Sequence, residues 1–260
     1  MFLKALKYIL YSMIGVLLAV CCLYGIRVAS AEDEGILCRR MELDMGNSSS
    51  CRFVTSEDVE QAIRKECGEI LGKRLGDLDL RTVENAVLSL GAVGSAEVYV
   101  TRDSVLNVDL KQKEPFLRFQ SPAGGFYCDS GGNIFPLQER AAARVPLVEG
   151  NIPVNVGKSY CGPASSDWER QWMDGILALE KYIQSSRIWK SRIAQIHIEK
   201  NGDIVLIPVE GEERFIFGGT GEMEEKFERM ECYYRAVRPA ADSSYRTVNL
   251  KFKDQIICRK

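Results

Sequence analysis

An α+β fold preceded by a transmembrane helix is predicted from three features of the 260-residue chain. These are an uncharged run from Tyr8 to Ile26, a strand-helix-helix-strand-strand order over residues 36–115, and a strand-rich remainder, residues 116–260, with flanking helices.

The run holds 19 residues. As a helix rising about 1.5 Å per residue it covers about 28 Å, close to the ~30 Å hydrocarbon core of a bilayer. Lys4 and Lys7 precede it, and Arg27 and the acidic Glu32, Asp33 and Glu34 follow. By the positive-inside rule residues 1–7 form a cytoplasmic arm, residues 8–26 the span and residues 27–35 a juxtamembrane linker, with the rest exported. Ala29, Ser30 and Ala31 have the form of a cleavage site, but a cleaved signal carries an apolar stretch of only about 7–15 residues. Leu18-Ala19-Val20-Cys21 loosely matches a lipoprotein signal, with bulky Val20 where a small residue belongs. A buried core helix would show a polar stripe, and the run is apolar on all faces.

The exported portion suits two compact domains. With 34 basic and 36 acidic side chains the net charge is −2, so no polybasic footprint points to nucleic acid. Beyond Cys21 and Cys22 in the span lie seven cysteines, Cys38, Cys51, Cys67, Cys128, Cys161, Cys232 and Cys258, with no C-x-x-C pair. Zinc-ribbon and thioredoxin-like readings fail on that spacing, and an odd count leaves at least one thiol unpaired within a monomer.

The elements of the first module follow from spacing. Ile36 to Met45 reads as a strand and Gly46 to Ser50 as a loop. Thr55 with Asp58 forms a variant capping box before Val59, Ile63, Cys67 and Ile70 at helical spacing. Asp79 caps a second helix, in which Leu80, Val83, Val87 and Leu90 form one stripe before Gly91. Ala96, Val98 and Val100, then Leu106, Val108 and Leu110, alternate with polar residues as a hairpin with one buried face. This β-α-α-β-β order resembles the POTRA domain, a small docking fold of exported and membrane-anchored bacterial proteins. The continuation Gln112-Lys113-Glu114-Pro115 resembles the "E-R-x-P" junction of FtsQ/DivIB cell-division proteins, with Gln112 and Lys113 in place of the Glu-Arg pair.

In the second module Phe126-Tyr127-Cys128, the turn from Asp129 to Asn133, and Ile134-Phe135-Pro136-Leu137 read as a hairpin. They resemble the aromatic strand, Asp-x-x-Gly turn and return strand of the same family, and Val145 to Gly150 matches its "L-P-x-L-x-G" segment. Ser166 with Glu169 signals a helix with Trp168, Trp172, Ile176, Leu179 and Ile183 on one face. Asn201-Gly202 centres a hairpin from Ile193 to Val209 and favours a two-residue type I′ turn. A strand from Arg214 to Phe217 leads into a helix with Met223, Phe227, Met230, Tyr234 and Val237 on one face. The final strand, with Val248, Leu250 and Phe252 inward and Asn249, Lys251 and Lys253 outward, resembles the family's terminal "V-D-L-R-Y" strand. The order of motifs across nearly the whole chain resembles FtsQ/DivIB.

Residues able to do chemistry are sparse. His197 is the only histidine and sits mid-strand, where a catalytic role would need a nucleophile and an orienting partner within reach. The acidic clusters Glu32 to Glu34, Glu210-Glu212-Glu213 and Glu222-Glu224-Glu225 read as solvated charge or a helix start. Gly218 to Gly221 lacks the lysine and hydroxyl of a phosphate loop. No catalytic, cofactor or metal residues are assigned. The resemblance implies a non-enzymatic scaffold in the inner membrane at the division septum. It would join FtsB/FtsL-type bitopic proteins and help control the septal peptidoglycan synthase. It also implies a partner contact on the last helix and terminal strand, at Tyr233, Tyr245, Asn249, Leu250, Lys251 and Phe252, of which Tyr245, Asn249 and Lys251 lie outside the apolar stripe. Two rival classes are a POTRA-bearing export or outer-membrane assembly factor and an anchored cell-wall hydrolase. The first would be expected to carry barrel strands of roughly ten residues, and none are visible.

Overall fold

The computed structural model describes residues 13–23, 36–46, 52–101, 103–122, 124–138, 140–241 and 245–260. Helix α1 covers 13–23, with Val16, Leu17, Leu18, Val20 and Leu23 exposed. Tyr8 and Ile26, the ends of the predicted span, lie outside the described residues, and no helix among those described is long and apolar enough to cross a membrane.

The first unit spans the residues up to 47 and 54–111. It contains β1 (Arg40–Asp44), α2 (Ser56–Cys67), α3 (Leu80–Leu88), β2 (Val93–Val100) and β3 (Val105–Gln112), in the sheet order β1-β3-β2. Both predicted helix starts are made by side chains. Thr55 Oγ1 accepts from Asp58 N while Asp58 Oδ2 accepts from Thr55 N at 3.0 Å, which satisfies two amides that no helical carbonyl reaches. Asp79 accepts from Arg81 N at 3.0 Å and from the Thr82 hydroxyl at 2.7 Å, and the Thr82 bond is the main reason its carboxyl titrates below the usual range. Helix α2 buries Val59 and Ile63, and α3 buries Val83, Ala86 and Val87. Strand β1 is shorter than predicted because residues 36–38 pair elsewhere: Leu75 N donates to Ile36 O and Cys38 N to Lys73 O. Central β3 buries Leu106, Val108 and Leu110, whereas Ala96, Val98 and Val100 on edge strand β2 are only half-buried.

The second unit comprises residues 48–53 and 112–260. Its strands are β4 (Leu117–Ser121), β5 (Gly124–Cys128), β6 (Asn133–Pro136), β7 (Leu147–Gly150), β8 (Gly162–Pro163), β9 (Ile193–Ile198), β10 (Ile204–Pro208), β11 (Arg214–Gly218), β12 (Thr247–Asn249) and β13 (Ile257–Arg259). Helices α4 (Asp167–Ser185) and α5 (Trp189–Arg192) precede β9, and α6 (Met223–Cys232) runs into a π turn, Tyr233–Val237. The ten strands form one open sheet in the order β13-β12-β11-β10-β9-β7-β4-β5-β6-β8.

Register aligns one apolar residue from each of eight strands. Phe126 faces Phe119, then Val148, Ile196, Leu206, Phe215, Val248 and Cys258 follow in turn. This row shares a core with Met173, Ile176, Leu179 and Ile183 of α4 and with Phe227 and Met230 of α6. Phe227 alone lies within 4.8–5.2 Å, centroid to centroid, of the rings of Tyr182, Trp189 and Phe217. The next row is polar at its middle. Glu149 lies opposite His197 and accepts from Gln195 Nε2 at 2.8 Å.

Several expectations are corrected. The loop at Asn201-Gly202 is a three-residue one, closed by Glu199 N donating to Asp203 O, with only Gly202 at positive φ (86°). Trp168 is 59% exposed in the first turn of α4, whereas Ile176, Leu179 and Ile183 of the predicted face are buried, joined by Met173, Leu177 and Glu180. Tyr233, three residues after Met230 and at the start of the π turn, is fully buried, while Met223, Tyr234 and Val237 of the predicted stripe are partly buried against the same core. The terminal strand stops at Asn249, whose Oδ1 accepts from Lys251 N at 2.9 Å and turns the chain, so Phe252 is 49% exposed rather than inward.

Two outcomes follow for stability. Phe215→Ala should cost about 3–5 kcal/mol, the range for emptying a buried ring site. Phe252→Ala should cost less than about 1 kcal/mol, as for an exposed position. Denaturant titration followed by tryptophan fluorescence measures both. Burial raises the Glu180 carboxyl above its ordinary value, with only the Gln184 amide bonding it in opposition. A carboxyl raised in the folded state favours folding when protonated, and that benefit is lost as pH rises from the unfolded pKa through the folded one. Glu180→Gln should therefore raise Tm at pH 7, with the gain shrinking as pH falls towards 4; an equal gain at both pH values would refute the assignment.

Candidate functional site

The end of the sheet formed by β12 and β13 is where the predicted contact residues can be placed. Strand β12 is paired on both sides, parallel to β11 through Phe215 and Val248 and antiparallel to β13 through Val248 and Cys258. Arg214 N donates to Arg246 O, Arg246 N to Arg259 O and Leu250 N to Ile216 O, which closes the backbone between these strands. Among the described residues β13 has a neighbour on one side only, so it, and not the predicted terminal strand, forms the sheet edge. Ile257 and Arg259 are exposed on it while Cys258 packs against the core.

The six predicted contact residues divide by burial. Tyr233 and Leu250 are fully buried and present no surface. The Tyr233 hydroxyl donates to Glu213 Oε1 at 3.1 Å, and its ring meets Phe215 edge-on at 5.4 Å. Burial, and after it the Glu213 carboxylate, pushes the Tyr233 phenol well above its ordinary value. Tyr245 is half-buried, its ring 6.5 Å from that of Tyr233, and Asn249 is half-buried where its carboxamide turns the chain. Lys251 is exposed but engaged. Its Nζ donates to Asp203 Oδ2 at 2.8 Å, and its stem lies so close to Gly218 that a Cβ there would come within 2.8 Å of Lys251 Cγ. Phe252 is the open aromatic of the set.

Residues that sequence reasoning passed over complete the edge. Ile257, Cys258 and Arg259 form a strand too short to show alternation. Glu213, read as part of a solvated acidic turn, is 1% exposed and pairs with Arg238 Nε at 3.2 Å. Its neighbours Glu210 and Glu212 are exposed as expected.

The other candidates carry structural interactions. His197 Nδ1 lies 3.2 Å from Glu149 Oε1. Gly219 in the strand-to-helix turn offers its carbonyl to Lys226 Nζ at 2.7 Å, a cation contact of opposite polarity to a phosphate cradle. Burial lowers the Lys226 ammonium below its usual range and pushes the Cys128 thiol up to about 12. Among the described residues no cluster of His, Cys, Asp and Glu has metal-holding geometry. At the junction Gln112 Oε1 accepts from Phe53 N at 2.8 Å, and Lys113 Nζ lies over the Phe135 ring at 5.6 Å.

Comparison with known proteins accords with this architecture. A model described as POTRA-like domain matches residues 36–111, and one described as FtsQ/DivIB, C-terminal related matches residues 114–259. Comparison with curated proteins gives no match. The second match spans more than half of the chain and takes in every strand of the ten-stranded sheet; the chain belongs to the FtsQ/DivIB family.

Proposed function

We propose that the chain is a non-catalytic, single-pass scaffold of the bacterial division machinery, held in the inner membrane by residues 8–26 with its C-terminal portion in the periplasm. It links FtsB/FtsL-type bitopic proteins at the septum and so helps control the septal peptidoglycan synthase. The observation that carries this reading is that β13, within a domain of this family, is paired on one side only among the described residues. An edge strand has unpaired N–H and C=O groups and accepts an added strand, while side chains at alternate positions supply specificity. The exposed side chains around the edge, Arg246, Phe252, Lys253, Ile257 and Arg259, offer apolar contact within a basic surround. Anchoring such an edge beside a membrane raises its effective concentration towards other anchored chains, so a modest contact suffices for assembly. The apolar, exposed side chains of α1 suit lipid as their surroundings.

Two experiments test the reading. Ile257→Asp and Arg259→Glu should each reduce co-purification of a co-expressed FtsB-type protein by about tenfold, the loss of about 1.4 kcal/mol, with the unfolding transition unmoved. Undiminished capture by the double variant would place the contact elsewhere. A reporter active only outside the cytoplasm should work when fused after Lys260, on a protein that stays membrane-bound at full mass. Release of a soluble species starting near Glu32 would overturn the retained anchor.

A further inference from the structure

Glu213 lies in the connection between β10 and β11, and its carboxylate is inside the domain. A carboxylate out of water is tolerated where a cation and hydrogen-bond donors replace its hydration. Both partners of Glu213 Oε1, the Tyr233 hydroxyl as hydrogen-bond donor and the Arg238 guanidinium as ion-pair cation, come from the ends of the π turn: Tyr233 opens the turn, Arg238 follows it, and Arg238 N donates to Tyr233 O at 2.8 Å. One side chain thus ties the two ends of the π turn to the start of β11. The Arg238 guanidinium also lies over the Tyr234 ring at 5.5 Å. Tyr233 in turn touches elements that lead to the edge. Its ring packs on Phe215 of β11 and on Tyr245, which leads into β12, and Cys258 of β13 packs against the core to which Tyr233 belongs.

We propose that Glu213 is a positioning residue for the docking edge: by holding Tyr233 and Arg238 it fixes where β12 and β13 lie, without itself touching a partner. Tyr233, which family precedent puts in the contact, acts from beneath it. The inference rests on the reading of β13 as the docking edge.

Hydrogen exchange on the full chain tests it, because a local clamp and overall stability have different exchange patterns. Glu213→Ala should speed exchange of the amides of residues 246–250 and 257–259 by about tenfold or more, the scale of losing a charged hydrogen bond, and leave those of α4 unchanged. Tyr233→Phe removes only the hydroxyl and should give the same pattern more weakly. Glu213→Gln keeps an acceptor for Tyr233 and should recover part of the protection. If Glu213→Ala does not fold, these two conservative variants carry the test. Exchange that rises equally in α4 and the edge, or an edge that does not loosen, overturns the proposal. Capture of a co-expressed FtsB-type protein separates the two layers. Capture that falls with edge protection supports both, whereas a loosened edge with undiminished capture leaves Glu213 as the clamp and overturns the docking reading.

Discussion

The second unit depends on the apolar row that crosses its sheet from Phe126 on β5 to Cys258 on β13. Each large side chain in it contributes about 1.5–3 kcal/mol through burial, and α4 and α6 close over it. Because side chains alternate faces, a slip of one residue in any pairing would turn a member of the row outward and bring its polar neighbour in. A slip of β9 would bring His197 in place of Ile196, and a slip of β7 would bring Glu149 in place of Val148, each burying an ionisable group. The row therefore specifies register across parallel and antiparallel pairs alike, including the β7–β9 contact that joins the two halves of the sheet.

That constraint delivers a surface at the sheet end. The row stops at Cys258, whose side chain packs inward while Ile257 and Arg259 on either side face out. An outer strand held from below by core packing presents its backbone in a defined place, which lowers the ordering cost of adding a strand. Charged side chains brace segments of the same unit. Glu213 binds the π turn, Lys226 closes the turn before α6, and the Lys251–Asp203 pair ties the β9–β10 loop to the segment after β12. These groups brace the fold of a chain that belongs to the FtsQ/DivIB family.

Much of the fold was legible because its signals are local. The pairs Thr55–Asp58 and Ser166–Glu169 cap helices in the predicted way, and the β-α-α-β-β order appears with Val59, Ile63, Val83 and Val87 of the predicted stripes buried. Local rules failed where a distant neighbour outweighed them. Phe252 fits the alternation of Val248 and Leu250, yet the Asn249 turn ends the strand before it. Glu213 looks identical in sequence to exposed Glu210 and Glu212, and only Tyr233 and Arg238, more than 15 residues on, separate it from them.

The sequence alone determined the helix starts, the apolar stripes, the two-module order and the family, because these rest on periodicity, capping and motif order within a few dozen residues. The candidate contact region was legible only as a neighbourhood. Which strand is the edge, which tyrosine is buried and which lysine is already paired were decided by tertiary structure. Each depends on which distant segments arrive beside which, and a three-residue strand such as β13 has too little periodicity of its own to be found until β12 is there to receive its hydrogen bonds.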